Sequence, residues 1–433
     1  VHRTDGYTTD VNYPAFFYKE MQPVWLACVA GQQGFAAADV AGPFQYCELG
    51  CGLGINLLVA AACHPQARFV GVDANELHLR IARDAAQSAA LDNIAFVHSG
   101  FSEFAGRHTA AFDVMVTHGV WSWIAPQHQA SLLDCVNASL KPGGLFYLHY
   151  MCHPGSTELT SLQQVLNRFA PHVPGDSAQQ LRTGLKLLQQ LADRGMFVDQ
   201  PQVLRHLQRL RGGDANHLAH EFLTDHWQPQ HSADVHQQVG ACGLDYLGSA
   251  DVFHNLDVAL SIPQPLQAIV QQTRIPALAE TLKDMARHSH QRMDLFQRQA
   301  QPLGRDAYVS QWDQLTFARL PGAPHAAPTR FDTPIGPLDA PPVLCNALWQ
   351  RLAAGPAHVA ELARLPAFAE QPAALLQTLQ LMMMQERVHP VQPAPPVDDR
   401  QVQALTRWFA DHGVNLRLWP TGGTAVRTGA ALA

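Results

Sequence analysis

No Cys-x-x-Cys pair occurs among the eight cysteines, which are scattered along the chain, so neither a disulfide framework nor a zinc ribbon is suggested. Cys47 and Cys51 flank a glycine-containing turn, where small side chains fill space. No stretch approaches the ~20 consecutive apolar residues that a membrane span needs. The opening VHRTDGYTTDVNYPAFFYKE lacks the basic and then apolar layout of a secretory leader. The expectation is a soluble, cytoplasmic protein with no membrane partner; residue 1 is Val1 and not Met, which leaves what precedes it open. Positive charge is not in excess either: the net charge is -7, which gives no electrostatic reason to expect nucleic acid as a partner. Nor do the 23 histidines show metal spacing. The most suggestive stretch, HLAHEFLTDH from His217 to His226, lacks the HExxH arrangement that sets two imidazoles and a general base on one helix face, so no metal is expected.

What the sequence has is length and apolar content: 433 residues, 47% hydrophobic, enough for two or three units with cores of their own. From Tyr46 to Tyr150 short apolar runs (YCELG, RFVGVDA, IAFVHSG, FDVMVTHG, GLFYLHYM) alternate with helical patterns. That alternation predicts a parallel sheet covered on both faces, a doubly wound, Rossmann-like α/β domain. With an N-terminal lid it is assigned residues 1–155. Residues 156–235 change to helical periodicity, as in AQQLRTGLKLLQQLADRGM, and read as a helical insert. Residues 236–320 read as a return to the core sheet, with GLDYLGSAD and then LTFARL as its last strands. The Pro/Gly-rich stretch 321–342 is expected to be a linker. Residues 343–433 read as a separate winged-helix-like α+β unit. Its third helix, between Ala373 and Glu386, carries no Lys or Arg and three consecutive methionines, which suits packing or protein contact better than phosphate binding.

The segment Glu48-Leu49-Gly50-Cys51-Gly52-Leu53-Gly54 closes the first predicted strand and opens a helix. Glycines let backbone pass close to a ligand, and the helix start offers free N–H groups. A tight turn with no ligand would look similar, but Asp73 follows at the tip of the next strand, where an acid would bind ribose hydroxyls. A dinucleotide site is usually G-x-G-x-x-G/A; here the pattern is G-x-G-x-G with an acid in front. A carboxylate at Glu48 would repel a pyrophosphate and can receive the ammonium of a methionine moiety, so S-adenosylmethionine is preferred to NAD.

On YCELGCGLG, FVGVDAN, FDVMVTHGVWSWI, LKPGGLFYLHY, HEFLTDHWQP, GLDYLGSAD and LWPTGGTAV, the chain resembles class I S-adenosylmethionine-dependent methyltransferases. More narrowly, it resembles the bacterial group with a methyltransferase regulatory domain, which includes the rickettsial protein lysine methyltransferases. The resemblance implies that Glu48, Gly50, Gly52 and Gly54 line the methionine end and that Asp73, with Ala74, takes the ribose. The acid that often accepts the adenine amino group is replaced by Ser99, so the adenine contact falls to Ser99, Gly100 and Phe101. Thr117 and His118 complete the cofactor set. The implied reaction is methyl transfer to a nitrogen, protein lysine among the candidates, yielding S-adenosylhomocysteine. Two alternatives stand beside it: a small-molecule N- or O-methyltransferase, and a catalytically idle cofactor-binding scaffold using its C-terminal region for homodimer or partner contacts.

His118, at the C-terminal end of the fourth strand, is the candidate to take or relay the acceptor's proton, since imidazole titrates near neutrality; the alternative is that it only shapes its loop. Trp121 and Trp123 could wall the acceptor channel or simply pack. The aromatic run Tyr13, Phe16, Phe17 and Tyr18 could fold over the cofactor, where aromatic faces suit a sulfonium, or staple a first helix. Tyr18 is assigned a catalytic and Tyr13 a substrate role under the first of these readings.

Overall fold

The alternating segments assemble one seven-stranded sheet in the computed structural model, which describes residues 3–428 apart from 5, 9, 12, 394 and 395. Its strands are β1 (Gln45–Leu49), β2 (Arg68–Asp73), β3 (Ile94–His98), β4 (Phe112–Thr117), β5 (Leu140–Met151), β6 (Leu244–Ser249) and β7 (Gln291–Arg298), in the spatial order β3-β2-β1-β4-β5-β7-β6. β7 runs antiparallel to both neighbours, whereas β1 to β5 pair in parallel. Period-two alternation sends Tyr46 to one face and Cys47 and Leu49 to the other. The register sets Glu48 opposite Gly71 on one side and Val116 on the other. The chain leaves β1 toward β2 and β3, then crosses back to β4 on β1's other side. The crevice at this reversal, outside the carboxyl ends of the strands, is where open α/β sheets bind ligands.

Residues 156–235 form helices Thr157–Phe169, Ser177–Ala192, Pro201–Arg211 and Ala215–Phe222. The second and fourth are N-capped by Asp176 and Asp214, whose side chains accept from Gln179 N and His217 N. Their apolar stripes close on one another in a core of their own that includes Leu162, Leu166, Leu181, Leu207 and Phe222. No helix among the described residues is long and apolar enough to cross a membrane.

Three expectations for the C-terminal part are corrected. LTFARL is not a strand of the main sheet: Thr316–Arg319 pairs antiparallel with Val388–Val391 and with Ala357–His358 in a separate three-stranded sheet, burying Phe317. Period-two patterning marks a strand without naming its partner. The stretch 321–342 is not a bare linker, since Arg330–Thr333 and Gly336–Asp339 form a hairpin with Phe331 fully buried. Nor do the described residues of 343–433 fold away from the rest. Every residue of the helices Pro23–Gln32 and Ile55–Cys63 is buried; such helices need cover on all sides. The cover comes from C-terminal residues such as Leu348, Leu379, Phe409 and Leu416, which share one continuous apolar cluster with Trp25, Leu57 and Phe69. The helix Pro372–Met384 turns Leu379, Met382 and Met383 into this core, consistent with its lack of cations.

Candidate active site

The glycine turn is held open by geometry that side chains would spoil. Gly50 has φ +76°, and a Cβ there would stand 2.3 Å from Val120 Cγ2. Gly52 has φ +51°, and a Cβ there would meet nothing within 4 Å. The turn therefore presses against the loop after β4 at Gly50 and faces open space at Gly52. The amides of Gly50 and Cys51 both donate to Val72 O, at 2.7 and 3.0 Å, which ties the turn to the end of β2. Asp73 is aimed by two more amides: Gly52 N donates to Oδ2 at 2.8 Å and Asn75 N to Oδ1 at 2.7 Å. Each carboxylate oxygen keeps a further acceptor site for a ribose hydroxyl.

Glu48 is buried at the end of β1, and its Oε2 has no hydrogen-bond partner among the described residues. Burial, with the Asp73 charge added, pushes its carboxyl well above the ordinary carboxylate range. An unpaired buried acceptor is costly, and the group that would relieve it is a cationic hydrogen-bond donor, such as the ammonium of a methionine. The residues present therefore fit S-adenosylmethionine. On the adenine side, Ser99 is buried and its hydroxyl donates to Gly100 O at 3.0 Å, leaving lone pairs to accept. A Cβ on Gly100 would meet nothing within 4 Å, and Phe101 begins the short helix Phe101–Ala105. The Ala74 carbonyl lies 3.0 Å from His98 Nε2. Thr117 is fully buried, its hydroxyl without a hydrogen-bond partner among the described residues.

At the tip of β4 four rings form a column. Tyr18 stacks on His118 at 3.7 Å between centroids, His118 on His149 at 4.0 Å, and Trp123 stands 6.0 Å beyond His149. Gly119 N donates to His149 Nδ1 at 3.1 Å, so the ring proton sits on Nε2, 3.1 Å from Gln291 Oε1. His118 Nδ1 lies 2.8 Å from Tyr147 Oη. Burial, with His149 beside it, holds His118 well below its ordinary range. Against the expectation of an imidazole that titrates near neutrality, burial disfavours the charged form of His118. Trp121 is corrected as a channel wall; it is fully buried in the second apolar cluster, its indole N–H donating to Gln230 Oε1 at 2.6 Å. Trp123 is likewise buried and donates to Glu221 O at 3.3 Å.

The aromatic run lies over the glycine turn. Tyr13, Phe16 and Tyr18 line a cavity of about 60 Å³ with Glu48, Gly50, Gly52, Gly54, Asn56 and His118, and Tyr18 N donates to Asn56 Oδ1 at 2.9 Å. Ligand cavities for molecules of this size are about 300 Å³ or more, so this space under the segment does not by itself hold a whole nucleoside. It is moored to the helical region: Ser177 Oγ donates to Asp10 Oδ1 at 2.7 Å, Thr8 Oγ1 to Leu223 O at 3.1 Å, and His220 Nε2 lies 2.9 Å from Val11 O. His217 and His220, the rings tested above for metal spacing, pack edge-on against Tyr13 at 5.9 and 5.1 Å. Sequence reasoning missed His149, Tyr147 and Glu221. For Glu221 the signal was in hand, inside HEFL, but periodicity could not place it beside residues some 200 positions away. A larger open groove of about 670 Å³, lined by Asp306, Asp313, His358 and Glu361 among others, shares no residue with this site.

A mostly parallel sheet with a glycine turn and an acid at its reversal defines a nucleoside-binding α/β enzyme domain, and the comparisons specify which. Residues 47–144 match the family described as methyltransferase domain, and residues 214–298 the predicted methyltransferase regulatory domain. The chain thus carries a methyltransferase domain followed by a stretch that matches the predicted methyltransferase regulatory domain. It is 27% identical over 316 residues to an uncharacterized protein of Synechocystis sp., covering 72% of this chain and 62% of that protein. Two uncharacterized proteins of Rickettsia prowazekii match over 157 residues each, 36% of this chain, at 25% and 28% identity, covering 62% and 28% of their lengths. In each case the match spans less than two thirds of the relative. PKMT2 from Rickettsia typhi, solved also in complex with AdoHcy, shares the fold over 96% of this chain and 86% of that one, with TM-scores of 0.72 and 0.71 at 17% identity.

Proposed function

We propose that the protein transfers the methyl group of S-adenosylmethionine to a nucleophilic nitrogen, and that a lysine side chain of a protein is the acceptor. The observation that carries the cofactor assignment is the unpartnered, buried Glu48 carboxyl beside the open face of Gly52 and the pre-aimed Asp73. Glu48 would receive the ammonium, Asp73 and Ala74 the ribose, and Ser99, Gly100 and Phe101 the adenine. The cofactor supplies a sulfonium methyl group, open to in-line displacement. The protein's own part is to align the acceptor and exclude water. Tyr18 and His118 form a neutral floor at the tip of β4, and Tyr13 and Phe16 cover the glycine turn. Support for a nitrogen acceptor in a protein comes from the fold shared with the rickettsial PKMT2.

The test is calorimetric titration with S-adenosylhomocysteine, with NAD and Asp73→Ala as controls. Saturable binding of the homocysteine compound alone, lost in the variant, is expected. A folded protein that binds neither ligand would overturn the assignment.

A further inference from the structure

Methyl transfer to a primary amine needs the free base, yet such an amine arrives as an ammonium ion. Something must recognise the cation and take its proton; burial disfavours the charged form of His118, and a neutral imidazole offers a cation no counter-charge. The carboxylates nearest the acceptor side differ in occupation. Glu20 pairs with Lys19 at 2.6 Å, and Asp251 accepts from Phe253 N at 3.1 Å. Glu221 has neither a cation nor a side-chain hydrogen bond among the described residues; only its backbone carbonyl is engaged, by Trp123.

Its position is set by the helix Ala215–Phe222. His217 and Glu221 are four residues apart and share a face. That face meets the N-terminal segment, His217 packing on Phe16 at 4.8 Å and on Tyr13 at 5.9 Å. Tyr13 reaches on to the tip of β4, its hydroxyl 3.9 Å from where a Cβ on Gly119 would stand. Burial, with the Glu221 carboxyl nearby, raises the phenols of Tyr7, Tyr13 and Tyr18. Glu221 is half-buried. A carboxylate without a counter-charge among the described residues, on a helix packed against aromatic groups, suits an organic cation.

We propose that Glu221, supplied by the regulatory domain, receives the acceptor ammonium and takes its proton before transfer. The inference rests on the methyltransferase reading above and names the class of acceptor, a primary alkylamine. In the step, R–NH3+ gives a proton to the Glu221 carboxylate. The freed lone pair of R–NH2 forms the N–CH3 bond while the S–CH3 bond breaks, its electron pair staying on sulfur. The product leaves as the methylammonium ion, and Glu221 returns its proton to water through the cleft.

Burial pushes the Glu221 carboxyl up to about 8, far closer to an alkylamine than an ordinary carboxylate and better matched to its proton. The titratable groups packed about this helix are Tyr7 and Tyr13 from the N-terminal segment, with Tyr18 beyond them and His217 and His220 on the helix itself. The two imidazoles are lowered by burial, His220 to about 4, so near pH 8 only the carboxyl titrates.

The experiment uses the full chain saturated with S-adenosylhomocysteine and titrated with n-butylammonium, with binding read by calorimetry and the carboxyl protonation state by infrared difference spectroscopy. Wild type is expected to bind and to show a carboxyl band that ionises near pH 8. Glu221→Gln is expected to lose that band and at least tenfold of the amine affinity, with S-adenosylhomocysteine affinity unchanged. Glu221→Asp retains part of the amine affinity and serves as a second variant if Glu221→Gln does not fold. Equal n-butylammonium affinity in wild type and Glu221→Gln, or no amine binding to the loaded wild type, overturns the inference while leaving the cofactor assignment standing. Failure of S-adenosylhomocysteine to bind wild type is a separate outcome that removes the reading beneath it.

Discussion

At the scale of single residues, two buried carboxyl settings behave oppositely. Glu48 has no cation, whereas Glu280, Asp284 and Asp294 surround the fully buried Arg292 at 3.1, 2.8 and 2.9 Å. Truncating Arg292 leaves three acids facing one another in a low-dielectric interior. Arg292→Ala is expected to cost about 3–5 kcal/mol in urea unfolding. Burial alone would raise the Glu280 carboxyl, but Arg292 and Lys283 bring it down to about 2. Because this folded value lies below the unfolded one of about 4.3, its stabilisation is present above that value and is lost as pH falls toward 2. Denaturant midpoints measured from pH 5 to 2 should fall more steeply in wild type than in Glu280→Gln. Glu48 has the reverse sign: its raised carboxyl makes the ligand-free protein less stable as pH rises. Glu48→Gln is therefore expected to raise the ligand-free melting midpoint at pH 8 while weakening S-adenosylhomocysteine by about 10- to 100-fold, the worth of a charged hydrogen bond.

At the scale of elements, the N-terminal segment and the glycine turn face each other across a cavity too small for a nucleoside. Hydrogen exchange should show residues 13–18 opening in the free protein and slowing when S-adenosylhomocysteine binds; unchanged exchange in a protein that does bind would mean the ligand enters elsewhere. Gly52→Ala is a sharper probe. Its φ of +51° costs an L-residue about 1–2 kcal/mol, and its methyl would meet no protein atom within 4 Å. The fold should survive with that modest loss, whereas calorimetry should show ligand affinity falling at least tenfold. This turn and its partner acid were legible in the sequence because both lie within one βαβ unit. The helix Ala215–Phe222 was equally legible as a helix. Its meeting with Tyr7, Tyr13 and Phe16 was not, because contacts across some 200 residues leave no periodic trace.

At the scale of the whole molecule, the C-terminal region closes the apolar face of the methyltransferase sheet. The terminal hairpin pairs Leu416–Trp419 with Thr424–Arg427 and lies against the helix Ile55–Cys63, where Cys63 Sγ approaches Thr424 O at 3.6 Å. A chain ending at residue 398 would uncover that helix. It is expected to aggregate or unfold cooperatively, as read by size exclusion and circular dichroism, and a soluble, folded truncation would show that the sheet stands without its cover.

The sequence by itself determined the alternating strands and helices, the glycine turn, its acid and the preference for a sulfonium nucleoside over a dinucleotide. Each depends on residues close together in the chain and on steric or charge rules that act locally. Only the tertiary structure decided that Thr316–Arg319 leaves the main sheet, that Trp121 packs, that burial disfavours charge on His118 and that Glu221 has no counter-charge among the described residues. Strand partnership, burial and dielectric surroundings are set by atoms that long-range packing brings together, and a local pattern does not record them.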